Sequence, residues 1–477
     1  MPVAPLGCVA LERACRLDAR TTFRYAAAMV GLAGALEFAR GLFLVAGLAV
    51  AAFAANANAG GDYFSVTYPP SSETNVLQVG VTYTLWIPGG TGEMRGLIVH
   101  QHGCGVGACK GGATAAYDLH WQALAKKWRC GLLGPSYHQE EKQNCRLWCD
   151  PRNGSDKAFL RSLRDLAVQS KHPELERVPW CLWGHSGGGF WASLMQVMHP
   201  QQIVAIWFRS GTAYSAWERG EVPRPEIPAA ALGIPMMCNP GTKERDHERF
   251  KGAWEGLTAM FRAYRAEGAP IGFAPDPNTS HECGDSRYLA IPFFDACLAM
   301  RLPDKAGEQL KAVDFRRSWL AGMPGDEPGP ADQFSGDAKT SVWLPDARVA
   351  KAWMEYVIAG EVADTTPPPA PSGVSATPKP DGAVELTWGA EADLESGIQA
   401  FVIQRDGKEV GRVPEKGLTK FGKPLFQTMS YHDTPEAPLP EMRFVDKAVS
   451  GGGSHEYRVL TLNGVGLTSG PSDAVRN

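Results

Sequence analysis

Between residues 62 and 302 the apolar positions switch repeatedly between two periods. Val81-Thr82-Tyr83-Thr84-Leu85-Trp86-Ile87 alternates apolar and polar side chains, the pattern of a strand exposed on one face. Gly96–His100, Cys130–Gly134, Ile203–Phe208, Ile234–Cys238 and Ile271–Ala274 are short continuous apolar runs, as in strands buried on both faces. Between them the period becomes helical. Trp121, Leu124, Ala125 and Trp128 fall on one helix face, Phe159, Leu163, Leu166 and Ala167 on a second, and Phe250, Trp254, Leu257 and Phe261 on a third. Strands alternating with helices of this length need right-handed crossovers. They predict an α/β fold with a mostly parallel sheet covered by helices on both faces, entered through an antiparallel strand.

Residues 303–360 are harder to read. A polar stretch rich in glycine and proline leads into an amphipathic segment around Trp353 and Tyr356, which we assign to an extension of the domain spanning 62–360. Thr365-Thr366-Pro367-Pro368-Pro369-Ala370-Pro371 marks residues 361–371 as a semi-rigid linker. Beyond it the period is two. Val384, Leu386 and Trp388 alternate inward, Phe401 and Ile403 likewise, Asp406-Gly407 signals a hairpin, and Tyr457 and Val459 sit on a late strand. Residues 372–477 are therefore expected to form a small all-β sandwich.

The N-terminus carries an export pattern. Arg40 precedes the uncharged run 41–55, and Ala57-Asn58-Ala59 offers a cleavage site, so residues 1–59 read as a signal peptide, with Met29 a more natural start. The run is short for a bilayer span, so no membrane span is expected in the mature chain, which would be extracellular or periplasmic. A formal charge of −4 gives no reason to expect nucleic acid as a partner. Eleven cysteines are present; Cys8 and Cys15 lie ahead of the apolar run of the signal, which leaves nine, an odd number, in the mature chain and at least one thiol outside any internal disulfide. Cys104/Cys109 and Cys145/Cys149 could be misread as zinc pairs, but no C-x-x-C is present, and His100-x-His102 has no evident third ligand, so no metal is expected.

The chemistry concentrates at Gly184-His185-Ser186-Gly187-Gly188. An apolar run precedes this G-x-S-x-G segment and a helical pattern follows it, the layout of a strained turn that holds a serine oxygen out at the end of a strand. Glycines at 184 and 188 suit the close backbone packing of such a turn. A nucleophilic Ser186 needs a base and an acid to orient it, in the chain order serine, acid, histidine. Glu244 after the strand at 234–238 is the preferred acid and Asp246 the alternative; His281 after the last strand is the base. The amides of Gly187 and Cys104 are the candidate oxyanion donors. Trp148, Trp183, His185, Phe190 and Trp191 are candidate walls of a substrate pocket.

Taken in order, His102-Gly103-Cys104, Asn144-Cys145-Arg146-Leu147-Trp148, the serine turn, Ser210-Gly211 and Gly241-Thr242-Lys243-Glu244 resemble the secreted polyhydroxybutyrate depolymerase and feruloyl esterase group of α/β-hydrolases, over roughly residues 75–300. The resemblance places the family's serine, acid and histidine on Ser186, Glu244 and His281, with glutamate where aspartate is usual. It also suggests a Cys238–Cys283 disulfide, as in some polyester-hydrolysing cutinases. The C-terminal region resembles fibronectin type III domains, which implies a spacer or a contact with polymer or cell surface. The expected activity is a cofactor-free serine esterase acting on polyester, feruloyl or acetyl esters. A surface-binding protein on a hydrolase scaffold and a secreted serine peptidase are the alternatives.

Overall fold

Eight strands build the central sheet of the computed structural model. They are β1 (Gly61–Tyr68), β2 (Val81–Pro88), β3 (Gly96–Gln101), β4 (Cys130–Tyr137), β5 (Trp180–His185), β6 (Ile203–Arg209), β7 (Met236–Asn239) and β8 (Ile271–Phe273). Their order across the sheet is β1-β2-β4-β3-β5-β6-β7-β8. The first two pairings are antiparallel and all those from β4 to β8 parallel. With β3 and β4 exchanged and β5 in the middle, this is the α/β-hydrolase fold. The structure describes residues 60–477 apart from 74–75, 306, 324, 418–424 and 450–452. The expected signal peptide, the start near Met29, Cys8 and Cys15 lie outside the described residues.

The continuous apolar runs became the central strands: every residue of β3 to β8 is buried. Helices α1 (Val106–Ala115), α2 (Leu119–Trp128), α3 (Ser155–Ser170), α4 (Gly187–Met198), α5 (Lys251–Ala266) and α6 (Arg287–Arg301) connect them or close the sheet. Asp118 starts α2, its carboxylate accepting from the backbone N–H of His120 and Trp121 at 2.9 and 3.1 Å. Strand β1 and helices α1 and α6 escaped the sequence reading. Strand β1 is an edge strand with Asp62, Ser65 and Thr67 exposed, and α1 is rich in glycine. Helix α1 lies so close to β4 that a Cβ on Gly112 would stand 1.8 Å from the Pro135 carbonyl oxygen.

Residues 303–360 hold a small antiparallel sheet of β9 (Trp319–Ala321), β10 (Gly329–Pro330) and β11 (Val342–Leu344), followed by α7 (Ala347–Ala359). On α7, Trp353 donates to the Phe273 carbonyl (2.9 Å) and Tyr356 donates to Asp276 (3.2 Å), so this helix braces the chain leaving β8.

The C-terminal sheets have the orders β12-β13-β16 and β15-β14-β17-β18. The strands are β12 (Ser372–Pro378), β13 (Val384–Gly389), β14 (Ala400–Arg405), β15 (Lys408–Val413), β16 (Arg443–Asp446), β17 (Glu456–Leu462) and β18 (Val475–Arg476). The inward positions Leu386, Trp388, Phe401, Ile403, Tyr457 and Val459 form their shared core, as the period of two requires. Asp406 and Gly407, both at positive φ, turn β14 into β15. The described residues belong to one compact unit. The chain between β15 and β16 packs on the α/β region: Gln427 bonds the Tyr117 carbonyl (2.9 Å) and the Leu119 N–H (2.8 Å), and Thr434 bonds the Gly111 carbonyl (3.0 Å). Among the described residues no helix is long and apolar enough to cross a membrane.

Candidate active site

Strand β5 ends at His185, and the chain turns into α4 through Ser186, which adopts φ 52° and ψ −115°. That conformation is costly for a residue with a side chain and persists only where its surroundings enforce it. Here they do. The Ser186 N–H donates to the Arg209 carbonyl (2.9 Å), and its own carbonyl accepts from Phe190 (3.1 Å). A Cβ at residue 184 would stand 2.5 Å from the Gly188 carbonyl oxygen, and one at 188 would stand 2.2 Å from that of Gln101.

The other two groups arrive from the same end of the sheet. The chain leaves β7 through Pro240-Gly241 into a tight turn, Thr242–Glu244, and the fully buried Glu244 carboxylate accepts from the Gly241 N–H at 3.1 Å. Its other oxygen lies 2.5 Å from His281 Nδ1, and His281 Nε2 lies 2.9 Å from Ser186 Oγ. A carboxylate can only accept, so Nδ1 carries the proton and Nε2 offers a lone pair to the serine hydroxyl. Asp246, the alternative acid, is exposed to solvent. Phe250 lies flat against the His281 ring, 4.0 Å between centroids and 3° between planes, limiting its rotation.

Arg209, at the end of β6, was not foreseen. Fully buried, it donates to the Asn239 carbonyl (3.0 Å), Thr279 Oγ1 (2.8 Å) and the carbonyls of Ser280 (3.2 Å) and Glu282 (3.1 Å), on either side of His281. The only signal for it in the sequence is an arginine closing an otherwise apolar strand.

Gly187 is the first residue of α4, so its N–H has no helical carbonyl to meet. Cys104 is its neighbour across the loop after β3: a Cβ on Gly187 would lie 3.4 Å from the Cys104 nitrogen. The two candidate oxyanion donors are therefore brought together. A disulfide joins Cys104 to Cys145 and ties that loop to the segment before Trp148. The expected Cys238–Cys283 bond is not formed; both are buried free thiols. Cys238 is fixed within β7 between two paired strands, whereas Cys283 sits in the loop after His281, where its N–H donates to the Tyr431 carbonyl (3.3 Å).

The pocket candidates divide. Trp148, Trp183 and Trp191 are core residues, each almost wholly shielded from solvent, so they do not line an open pocket. Trp148 stacks on Tyr137 and donates to Gln139, Trp183 stacks on His100, and Trp191 meets Phe159. Phe190 is nearer the surface, under the Arg146 guanidinium. His185 is buried and acts as a brace: its Nε2–H donates to the His281 carbonyl at 2.7 Å. Burial, followed by the nearby His281, holds the His185 ring well below the ordinary histidine range, and it stays neutral. Burial likewise pushes His100 down to about 3 and takes His102 well below its usual value.

No family model matches the chain, and no curated protein matches it in sequence. Solved structures resemble it in parts. A ferulic acid esterase matches at 14% identity over 50% of this chain and 99% of its own, TM-score 0.36. A Fn3-like protein from Clostridium thermocellum matches at 20% identity over 23% of this chain and 92% of its own, TM-score 0.15. A family 28 exopolygalacturonase from Yersinia enterocolitica matches at 15% identity over 23% of this chain, TM-score 0.17, and the match spans only 20% of that protein's length. The α/β-hydrolase assignment rests on strand order, not on these likenesses.

Proposed function

We propose that the protein is a secreted serine esterase. The observation that carries the reading is the unbroken line from Ser186 Oγ through the His281 ring to the buried Glu244 carboxylate. In this reaction the Ser186 oxygen attacks the ester carbonyl carbon while His281 Nε2 takes its proton. Glu244 holds the Nδ1–H tautomer and stabilises the imidazolium. The N–H groups of Gly187 and Cys104 bind the oxyanion of the tetrahedral intermediate. His281 returns the proton to the departing alcohol, leaving an acyl-serine, and water releases the acid by the same steps in reverse.

The ester class we favour is polyester, feruloyl or acetyl, on the motif resemblance given above. The export pattern at 1–59 supports secretion, and the C-terminal sandwich supports contact with a polymeric substrate. The test is turnover of a panel of p-nitrophenyl, feruloyl and hydroxybutyrate esters, with peptide substrates alongside, by the wild type and Ser186→Ala. The reading expects ester cleavage that Ser186→Ala abolishes. Wild-type rates in that variant, or cleavage of peptides alone, would overturn it.

A further inference from the structure

Behind His281, three residues far apart in sequence meet at the contact between the catalytic region and the C-terminal chain. His185 Nδ1 and His432 Nδ1 face each other at 3.2 Å. Together with Cys283 Sγ, these ligand atoms all lie within 4.8 Å of one another. We propose that His185, Cys283 and His432 form a zinc site that fastens the C-terminal chain to the back of the active site.

Four features support it. First, the separation of the two imidazole nitrogens is close to the edge of a tetrahedron with Zn–N bonds of about 2.0–2.1 Å, and two imidazoles with one thiolate are a ligand set that suits zinc. Second, His185 already donates its other ring N–H to a backbone carbonyl, that of His281 (2.7 Å). That bond leaves the lone pair on Nδ1 and is the usual support for a metal-bound histidine. Third, the segments bearing Cys283 and His432 are joined by the hydrogen bond from the Cys283 N–H to the Tyr431 carbonyl (3.3 Å). Fourth, the fully buried His102 packs edge-on against His432, 5.7 Å between ring centroids, and neither of its ring nitrogens has a hydrogen-bond partner. That imidazole is a buried polar group beside the site with no partner of its own, and water would complete the coordination.

The ligands come from three separate segments, so no short spacing motif could reveal them. Binding would convert the Cys283 thiol to a zinc-bound thiolate and release its proton to solvent. The proposal does not depend on the esterase reading.

The experiment loads the full chain with Zn2+, dialyses it and measures metal per chain by mass spectrometry, then repeats the loading with Co2+. The expected result is one zinc per chain, and a cobalt form with the near-ultraviolet thiolate-to-cobalt band and intense visible bands of a tetrahedral site. Cys283→Ser should abolish the thiolate band. His432→Gln should weaken zinc binding by more than ~100-fold, since loss of a mere supporting partner already costs about 10–100-fold, and His455→Gln should leave it unchanged. Should His432→Gln fail to fold, the wild-type stoichiometry and cobalt spectrum still decide. A loaded wild type with far less than one zinc per chain, or a thiolate band that survives in Cys283→Ser, would overturn the site.

Discussion

At the scale of single residues, the account turns on protons placed by short hydrogen bonds. Replacing Ser186 or His281 with alanine should lower kcat by about 10⁴-fold or more, leaving only what binding and the oxyanion donors contribute. Glu244→Asp is more informative. The glutamate carboxylate reaches His281 while also accepting from Gly241 N–H, and an aspartate is one methylene short of doing both. A misplacement of about 1 Å costs on the order of 10²-fold, so steady-state kinetics of Glu244→Asp should show a fall of that order in kcat with a smaller change in KM. An unchanged kcat would mean that Asp246 or another acid orients the histidine. Those positions could be read from the sequence because they follow chain order and strand ends. The tryptophans could not, because an aromatic side chain beside a motif looks the same whether it faces the core or a cleft.

At the scale of elements, the site depends on loops held by groups outside the reacting line. Arg209 grips the carbonyls on both sides of His281. Arg209→Met should unfix that loop and reduce kcat more than it raises KM, and it should leave buried carbonyls unpaired, lowering the melting temperature. Circular dichroism and kinetics on the same preparation separate the two effects. The Cys104–Cys145 bond restrains the loop that carries the proposed oxyanion donor. Cys104→Ser keeps the backbone N–H but frees the loop, and kcat should fall by about 10-fold or more, an effect reproduced by reducing the wild type with thiol. The parallel strands were legible as apolar runs because both of their faces are covered. Strand β1 was not, because one of its faces is wet and its pattern is that of a polar connector. Helix α1 was hidden by its glycines, of which Gly112 is demanded by the close approach to β4, and such glycines argue against a helix in any propensity scale.

At the scale of the whole molecule, the chain between β15 and β16 is tied into the α/β region by a buried ion pair. Arg287, fully buried, bonds Asp118 at the start of α2 (2.7 Å) and Asp433 from the C-terminal chain (2.8 Å). Burial works to raise the Asp118 carboxyl, but the Arg287 guanidinium outweighs it and holds the group below the usual carboxylate range. The sign of the pH effect follows. A depressed carboxyl stabilises the fold above its unfolded value of about 4, and that contribution is lost as pH falls through the lower folded value. Asp118→Asn should therefore melt well below the wild type at pH 7, by about 3 kcal/mol, and the gap should narrow as pH drops below about 4. Equal melting temperatures at pH 7 would contradict this. A sequence cannot disclose such an arrangement: the Pro-rich stretch at 365–371 reads as a linker, while the residues that bind the two parts together lie far from it on both sides.

The most direct test of the central claim is the site of covalent capture. Wild-type protein, Ser186→Ala and His281→Ala would be treated with a fluorophosphonate and the adduct mapped by peptide mass spectrometry. One adduct per wild-type chain is expected, on Ser186, absent from Ser186→Ala and formed far more slowly in His281→Ala. An unlabelled wild type, an adduct on another residue, or full-speed labelling without the His281 imidazole would contradict it.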